Sequence, residues 1–359
     1  MLELLTNPVV WLLFLTVGLV EGRLVPPWRG IPALAASLYI LFAFCGPKTG
    51  FIYIGLGTLI ALLSYVPWCQ VPLVVASSLL VIAYTALRND MMLVAPFLPS
   101  LSYFGFRAVA LAVEVQKIPL MSLQQRMLQM LFFPIVVMGP ITRPEHFAWH
   151  VPDAAQAMRR LISGLVFLLI GYGVAPWVLS VYDLQVAPSL FLWRSAVTNS
   201  IKLYCDFAGY TDLVIGLGCL CGFTLPENFD NPYMSPNISV FWRRWHMSLS
   251  FWIRDFLYIP LGGSRRGFAY KIVLLIVSMS ICGVWHGLAW NFLAWGFYHG
   301  MLLVVHSICK RLFLGKFFFQ GSVWNILSIV MTFLSVTLGW ILFSYPLPQA
   351  WNSILRMFA

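Results

Sequence analysis

The chain has 359 residues, of which 60% are hydrophobic and only 9% are charged. Its mean hydropathy is +0.85. Soluble globular proteins carry about 25% charged residues, so this composition excludes an ordinary soluble domain and indicates a membrane protein. The net charge of +10 does not indicate a nucleic-acid partner. Its Lys and Arg residues lie in short segments between apolar runs, a placement typical of cytoplasmic loops and lipid headgroup contacts.

The apolar runs, taken in chain order, predict membrane-spanning helices. A span needs roughly 20 apolar residues, because lipid offers the backbone no hydrogen-bond partners and a helix satisfies its own. The first run carries Glu3 and lacks a small-residue cleavage site, so we predict a retained helix rather than a removable signal peptide. We predict about ten helices, at residues 5–20, 31–46, 51–66, 71–87, 91–115, 127–141, 161–182, 189–222 in broken form, 271–290, 291–313 and 324–344.

A single membrane-embedded domain over residues 1–359 is the simplest organisation, because no internal repeat or low-complexity linker divides the chain. Two stretches, 139–160 and 223–270, are nevertheless rich in Pro, Gly, Asn, Arg and His. Irregular polar backbone at membrane depth is tolerated only where protein covers it or where it lines a hydrated cavity. The sequence therefore predicts an all-α, multi-pass membrane protein with re-entrant or interfacial segments at these two places.

Residues 238–259 predict an amphipathic helix, which we expect to end at Pro260. On a helical wheel with 100° per residue, aromatic and apolar side chains share one face and hydrogen-bond donors share the opposite face. The apolar face contains Phe241, Trp245, Leu249, Trp252 and Phe256, and the polar face contains Arg243, His246, Ser250 and Arg254. Such a helix either lies in the headgroup interface or directs its polar face into a cavity.

His286 follows an apolar span that begins near Lys271. An ionisable side chain inside a membrane is costly, so a functional role is the first hypothesis, and a buried histidine bonded to a carbonyl is the alternative. The pKa of imidazole, about 6.5, leaves it mostly neutral near pH 7 and able to take a proton from a hydroxyl that attacks a thioester carbonyl. His246 competes for the same role, and it could instead orient, donate or bind.

Other polar residues in the apolar regions leave alternatives open. Cys282 lies four residues before His286 and shares its helical face, so it is either a covalent nucleophile or a small residue that allows close helix packing. Asp206 and Asp212 are expected to pair with an arginine or a helix N-terminus, the alternative being direct substrate binding. His299 and the histidine seven residues later share a face without nearby carboxylates, so we expect no metal site. The seven cysteines indicate no disulfide framework.

Several ordered motifs resemble the membrane-bound O-acyltransferase (MBOAT) family, in particular its bacterial branch of alginate and peptidoglycan O-acetyltransferases and D-alanyl-teichoic acid transferases. The resemblance is specific between about residues 132 and 305. Its motifs are Gly139-Pro140-Ile141-Thr142-Arg143, Asp206-Phe207-Ala208-Gly209-Tyr210-Thr211-Asp212, Pro226-Glu227-Asn228-Phe229, Phe241-Trp242-Arg243-Arg244-Trp245-His246-Met247-Ser248-Leu249-Ser250, Arg254-Asp255-Phe256-Leu257-Tyr258-Ile259-Pro260-Leu261-Gly262-Gly263 and Gly283-Val284-Trp285-His286-Gly287.

The resemblance implies a ring of helices around a central funnel, with His286 as the catalytic histidine and His246 as the second family histidine. The substrate-binding residues that we predict are Arg243, Ser250, Arg254, Asp206, Trp285 and Asn228.

The resemblance also implies the reaction and its partners. The expected reaction moves an acyl group, most simply acetyl, from acetyl-CoA or an acyl-carrier thioester to a hydroxyl of a cell-surface polysaccharide or to a relay protein, with no tightly bound cofactor. Expected partners are membrane lipids, an extracytoplasmic relay or acetyltransferase protein and the polysaccharide acceptor, and the expected location is the bacterial cytoplasmic (inner) membrane. The alternatives are D-alanyl transfer to teichoic acid and a multi-pass transporter or flippase.

Overall fold

The computed structural model describes residues 8–24, 28–94, 101–118, 121–181, 188–312 and 322–359, and within these ranges the regular structure is entirely helical. The α-helices are α1 Pro8–Glu21, α2 Ile31–Cys45, α3 Pro47–Leu63, α4 Gln70–Val94, α5 Leu101–Glu114, α6 Leu123–Leu131, α7 Phe133–Val137, α8 Ala154–Leu169, α9 Ala175–Val181, α10 Pro188–Leu220, α11 Ile238–Arg244, α12 Met247–Ile253, α13 Phe268–His286, α14 Trp290–Leu312, α15 Ser322–Ser344 and α16 Leu347–Met357. Five-residue π-helical turns join α8 to α9 at Ile170–Val174 and follow α12 at Arg254–Tyr258.

Six helical segments of the described chain are long and apolar enough to cross a membrane, and three shorter helices are also apolar. The all-α, multi-pass architecture expected from the sequence is therefore confirmed. The long segments are Pro67–Ala86, Ala154–Val178, Ser189–Leu220, Phe268–His286, Trp290–Leu312 and Ser322–Ser344, and the shorter ones are Val9–Glu21, Ile31–Ala43 and Pro47–Leu63.

Two predicted spans differ from the structure. The region 189–222, expected in broken form, is one continuous helix from Pro188 to Leu220. It stays continuous because polar side chains within it find partners, as Lys202 does with Asp206 one turn later. The region 127–141 is instead two short helices that meet at Phe132, since Pro134 lacks the N–H that an uninterrupted helix would need there.

The described chain forms two compact units. The first comprises Met1–Val166 and Phe207–Glu227, and the second comprises Phe167–Asp206 and Asn228–Ala359. In the first unit, Phe132 and Phe223 lie edge to face with 5.4 Å between ring centroids, and both contact Phe147. Aromatic rings supply large apolar areas, and all three are buried at the centre of this unit.

In the second unit, α13 and α14 pack as an antiparallel hairpin whose backbones touch. A Cβ atom added to Gly283 would lie 2.2 Å from the Phe292 carbonyl oxygen, and one added to Gly296 would lie 2.3 Å from the Met279 carbonyl oxygen. Small residues allow this approach, which is a common basis of helix packing in membranes. Helix α15 then packs antiparallel to α14, since the Tyr298 hydroxyl donates to the Ser335 carbonyl and the Asn291 amide donates to the Phe343 carbonyl.

Basic side chains collect at one end of this hairpin. Because α13 and α14 run in opposite directions, the first turn of α13 and the last turn of α14 lie together. Arg311 lies over the Phe268 ring at 4.4 Å and Lys271 lies over the same ring at 6.0 Å. Exposed Arg265 and Arg266 directly precede α13. The opposite end of α13 carries His286, and the sequence has no Lys or Arg between residues 284 and 292.

Candidate active site

The chain breaks at His246, between α11 and α12. His246 adopts left-handed backbone angles, φ 43° and ψ 55°, which few residues other than glycine adopt. The prediction of one helix over residues 238–259 is therefore wrong, because a left-handed residue interrupts the helical turn. Phe241, Trp245 and Leu249 of the predicted apolar face are buried, which agrees with packing inside the fold, one of the two placements left open. His246 is also buried, with 3% of its surface exposed, so it does not share the exposed polar face of Arg243 and Arg254.

Asn228 holds His246 in place. The Asn228 Oδ1 atom lies 2.9 Å from His246 Nδ1, and it accepts hydrogen bonds from the Ser248 backbone N–H at 3.2 Å and the Ser248 hydroxyl at 2.8 Å. The Ser248 backbone can only donate, so the Asn228 atom is an oxygen that accepts, and His246 Nδ1 must carry the proton. In a neutral imidazole the other nitrogen then holds the lone pair. The His246 Nε2 atom is therefore the basic one.

His246 stays neutral at physiological pH. Burial, and to a smaller extent the charge of His286, lower the pKa of its imidazole to about 3. Two neighbouring imidazoles disfavour a shared positive charge because like charges repel. If His286 takes a proton, His246 therefore remains uncharged and can still accept a hydrogen bond at Nε2.

His286 ends helix α13 within a group of aromatic rings. Its ring lies edge to face with Trp295, at 5.4 Å and 89°, and with Phe343, at 4.9 Å and 83°. Trp285 and Phe292 contact it at 4.4 and 6.3 Å. His286 is only partly buried, so its ring is confined on several sides by apolar walls and still reaches the surface of this unit.

A cavity of about 340 Å³ lies beside α12 and α13 in the same unit. Three predicted substrate-binding residues line it: Arg243, Ser250 and Arg254. The Arg254 guanidinium pairs with the carboxylate of Asp255, and this pairing raises the pKa of Arg254. The other residues that line the cavity are Ser239, Trp242, Leu249, Phe251, Ile253, Tyr258, Leu275, Ser278, Met279, Cys282 and Leu303.

Asp206 and Asp212 both form ion pairs. In the first unit, the Arg160 guanidinium lies 2.9 Å from Asp212 and also contacts Glu227, which agrees with the arginine partner expected for Asp212. In the second unit, Asp206 pairs with Lys202 at 2.6 Å, so its partner is a lysine instead. The Asp206 carboxylate also lies against Gly171 of the π-helical turn, where an added Cβ would be 2.3 Å from Oδ1.

The sequence missed several residues around the predicted ones. Ser248 shares Asn228 with His246, Trp295 forms a wall beside His286, and the hydroxyl of Ser278 is buried at the cavity. A small hydroxyl or an indole in an apolar helix gives no periodic signal of such a role. Among the residues that the structure describes, no group of three His, Cys, Asp or Glu side chains is arranged to hold a metal ion.

Comparison with known families decides the assignment. The model of the MBOAT family, the membrane-bound O-acyltransferases, matches residues 127–347, which is more than half of the chain. The chain belongs to the membrane-bound O-acyltransferase family. The resemblance noted in the sequence is therefore confirmed, and the matched range contains both site histidines, the cavity and the two ion pairs of this MBOAT chain.

Relatives of this MBOAT chain include proteins named for different acceptors. It is 36% identical over 236 residues to the probable alginate O-acetylase AlgI of Pseudomonas aeruginosa, covering 63% of this chain and 44% of that protein. It is 34% identical over 224 residues to a peptidoglycan O-acetyltransferase of Helicobacter pylori, covering 59% and 42%. It is 30% identical over 273 residues to a teichoic acid D-alanyltransferase of Bacillus subtilis, covering 68% of each. The matches thus span less than half the length of the two acetyl-transferring relatives.

Proposed function

We propose that this chain is an O-acyltransferase. It moves an acyl group, most simply acetyl, from a thioester such as acetyl-CoA or an acyl carrier to a hydroxyl of a cell-surface polysaccharide or to a relay partner protein. The proposed location is the bacterial cytoplasmic membrane. The names of the relatives support acyl transfer to envelope polymers, and family membership supports a membrane-embedded reaction.

One observation carries this proposal. His286 lies at the end of an apolar helix, confined by aromatic rings, and the same unit holds a buried His246 whose basic nitrogen is fixed by Asn228. A base in an apolar enclosure with a second, neutral imidazole nearby is suited to moving a proton without water. A histidine kept only for packing would not require the oriented neighbour.

The proposed chemistry uses His286 as the general base. The acceptor hydroxyl oxygen attacks the thioester carbonyl carbon while His286 takes the hydroxyl proton, and an O–C bond forms. The tetrahedral intermediate then collapses, the C–S bond breaks, and the thiolate takes the proton back from the His286 imidazolium. The products are an ester and a free thiol. His246 orients a reacting group at Nε2 and remains neutral.

The cavity beside α12 and α13 is the proposed donor site. Arg243 and Arg254 are exposed residues of its lining and can bind negative charge on the donor. The buried Ser278 hydroxyl can donate to a carbonyl oxygen. The Ser250 hydroxyl lines the same space and donates to the Trp245 carbonyl at 3.2 Å, which fixes its orientation there. In this proposal Trp285 packs against His286, and Asn228 orients His246. Asp206 stabilises helix α10, in which it lies, by pairing with Lys202.

The decisive experiment replaces His286 with alanine. Loss of a general base typically costs 10² to 10⁴ in rate, so cells that express His286→Ala should lose the alkali-labile acyl groups that the intact chain adds to surface polysaccharide. His306→Ala, on the neighbouring helix α14, is the matched control. Retention of full acylation by His286→Ala would reject the catalytic assignment. Ester formation by purified protein from labelled acetyl-CoA would also exclude a transporter or flippase.

A cysteine acyl-enzyme is a distinct mechanism at the same site. Cys282 is buried and lines the cavity, so it is placed where a thioester could reach it. The general-base proposal expects Cys282→Ala to keep most of its turnover and to form no labelled adduct. Abolished turnover together with a mass-detected acyl adduct on the intact chain would support the covalent route instead.

D-alanyl transfer is a second candidate for the acyl group. The D-alanyltransferase of Bacillus subtilis is matched over a larger share of its length than the two acetyl-transferring relatives. Chromatography of the group released by mild alkali distinguishes the candidates, since acetate supports the favoured reading and D-alanine supports the second.

A further inference from the structure

His299 lies in the middle of α14 and is completely enclosed. Its ring contacts Trp242 at 5.2 Å and 89°, Trp295 at 5.1 Å and 64°, and Trp340 at 6.2 Å. It also lies against Gly339 of α15, where an added Cβ would be 2.4 Å from His299 Nε2. The ring therefore has almost no freedom to move.

The polar atoms of this cluster have no protein partner. Within the part of the chain that the structure describes, neither ring nitrogen of His299 is hydrogen bonded, and the same is true of the indole N–H groups of Trp242 and Trp295. Each buried polar group left without a partner costs about 1–3 kcal/mol. Phenylalanine would fill the space of His299 without that cost. The nitrogens therefore indicate a bound oxygen that can both donate and accept a hydrogen bond.

Trp295 links this cluster to the candidate active site. It is 1% exposed, and its ring contacts His299 and also lies edge to face with His286 at 5.4 Å. It also stacks on Trp340 at 5.8 Å and 23°. Because a close-packed interior transmits small shifts, a change in the tilt of the Trp295 indole would change the position of the ring that contacts His286.

We propose that His299 is a positioning residue for the acyl-transfer reaction. Together with the indole N–H groups of Trp242 and Trp295 it binds the oxygen of a buried water or of a substrate hydroxyl, and this network holds Trp295 against His286. The inference rests on the proposed function, because it assigns His299 a role in placing the base of that reaction.

The test compares replacements that keep or remove the nitrogens. His299→Phe preserves the ring, His299→Gln preserves one donor and one acceptor, and His306→Phe makes the same chemical change two turns further along α14. The assay follows transfer from labelled acetyl-CoA into alkali-labile polysaccharide, in membranes that contain the full-length chain and host polymer. We expect His299→Phe to lower kcat at least tenfold with the KM for the acyl donor within twofold. His299→Gln should restore most of kcat, and His306→Phe should match the wild type.

Two further measurements keep the outcome decisive. Trp295→Phe removes the indole N–H, and combined with His299→Phe it should cost little more than either change alone, because both break one network. The pH profile of kcat should shift in His299→Phe, a change that a packing defect alone would not produce. Unchanged kcat in His299→Phe would overturn the proposal. Equal losses of activity in His299→Phe and His299→Gln, including losses caused by misfolding, would also overturn it, because they would show that His299 is needed only for packing.

The two possible sources of the oxygen give different results. A bound water predicts that the kcat loss in His299→Phe is the same for every acceptor, whereas a substrate hydroxyl predicts a loss that depends on the acceptor and a raised acceptor KM. His286→Ala is measured in the same membranes. If His286→Ala retains activity, the proposed function fails. If His286→Ala is inactive while His299→Phe is fully active, only this inference fails.

Discussion

Replacing Asn228 with alanine tests how the second histidine is held. The Asn228 side chain is fully buried, and its Oδ1 atom serves three donors: His246 Nδ1, the Ser248 N–H and the Ser248 hydroxyl. Asn228→Ala leaves all three donors buried without that acceptor. At about 1 kcal/mol for each net hydrogen bond, and more for groups left unsatisfied, the expected loss of stability is about 3–5 kcal/mol.

The assay is the apparent melting temperature of detergent-solubilised protein, followed by intrinsic fluorescence or size-exclusion recovery. At roughly 2 °C per kcal/mol for a large domain, the melting temperature should fall by about 6 °C or more. Asn199→Ala is the matched control, because Asn199 is only half-buried and makes a single side-chain bond, to Ser344 at 3.2 Å. Acyl transfer should fall as well, because the His246 tautomer is no longer fixed. If Asn228→Ala melts no lower than Asn199→Ala, the shared-acceptor account of this site is wrong.

Three further predictions concern stability. The His246 imidazole has a pKa of about 3 in the folded protein and about 6.5 in the unfolded chain, so the unfolded chain binds the proton first and the folded state loses stability as the pH falls below 6.5. The free energy of unfolding should therefore fall by about 2 kcal/mol between pH 7 and pH 5. His246→Asn should not show this loss when the melting temperatures are compared. Gly283→Ala should destabilise the α13–α14 hairpin by about 2 kcal/mol or more, whereas Gly55→Ala, whose Cβ would meet no atom within 4 Å, should be neutral or stabilising in the same thermal assay. Asp212→Asn should lower the melting temperature by the equivalent of about 1–3 kcal/mol, because Arg160 and the Ser163 hydroxyl lose a charged acceptor, and Arg160→Met combined with it should cost little more than Asp212→Asn alone.

Apolar periodicity was sufficient to predict much of the fold. The spacing placed Phe241, Trp245 and Leu249 on one apolar face and all three are buried, whereas Trp252 and Phe256 of that predicted face are only partly buried. The helical wheel failed at His246, because it assumes an unbroken helix and the spacing of apolar residues does not indicate where a residue adopts left-handed backbone angles. The prediction from sequence also failed over residues 189–222, which were predicted in broken form but are one continuous helix, in which Lys202 and Asp206 pair one turn apart.

The candidate site was only partly readable from the sequence. Motif resemblance singled out Asn228 and His246 separately, but their hydrogen bond joins residues 18 positions apart across an irregular segment. Such a contact depends on the path of the loop, and no local pattern encodes it. The cavity is similar in this respect: Arg243 and Arg254 were predicted from the sequence, whereas Ser278 reaches the same space from a different helix.

The uneven charge of the α13–α14 hairpin gives the reaction a direction. Lys and Arg residues favour the cytoplasmic side when membrane segments insert, so we expect the end that carries Arg265, Arg266 and Arg311 to stay there. His286 then sits 19 helical residues away, about 28 Å at 1.5 Å per residue, toward the opposite leaflet. A thioester donor made in the cytoplasm would then transfer its acyl group near the outer face of the membrane. The acceptor polysaccharide could stay outside the cell, and the thiol carrier could stay in the cytoplasm. Under the proposed function, the acyl group would then cross the membrane during the transfer itself, without a separate transport step.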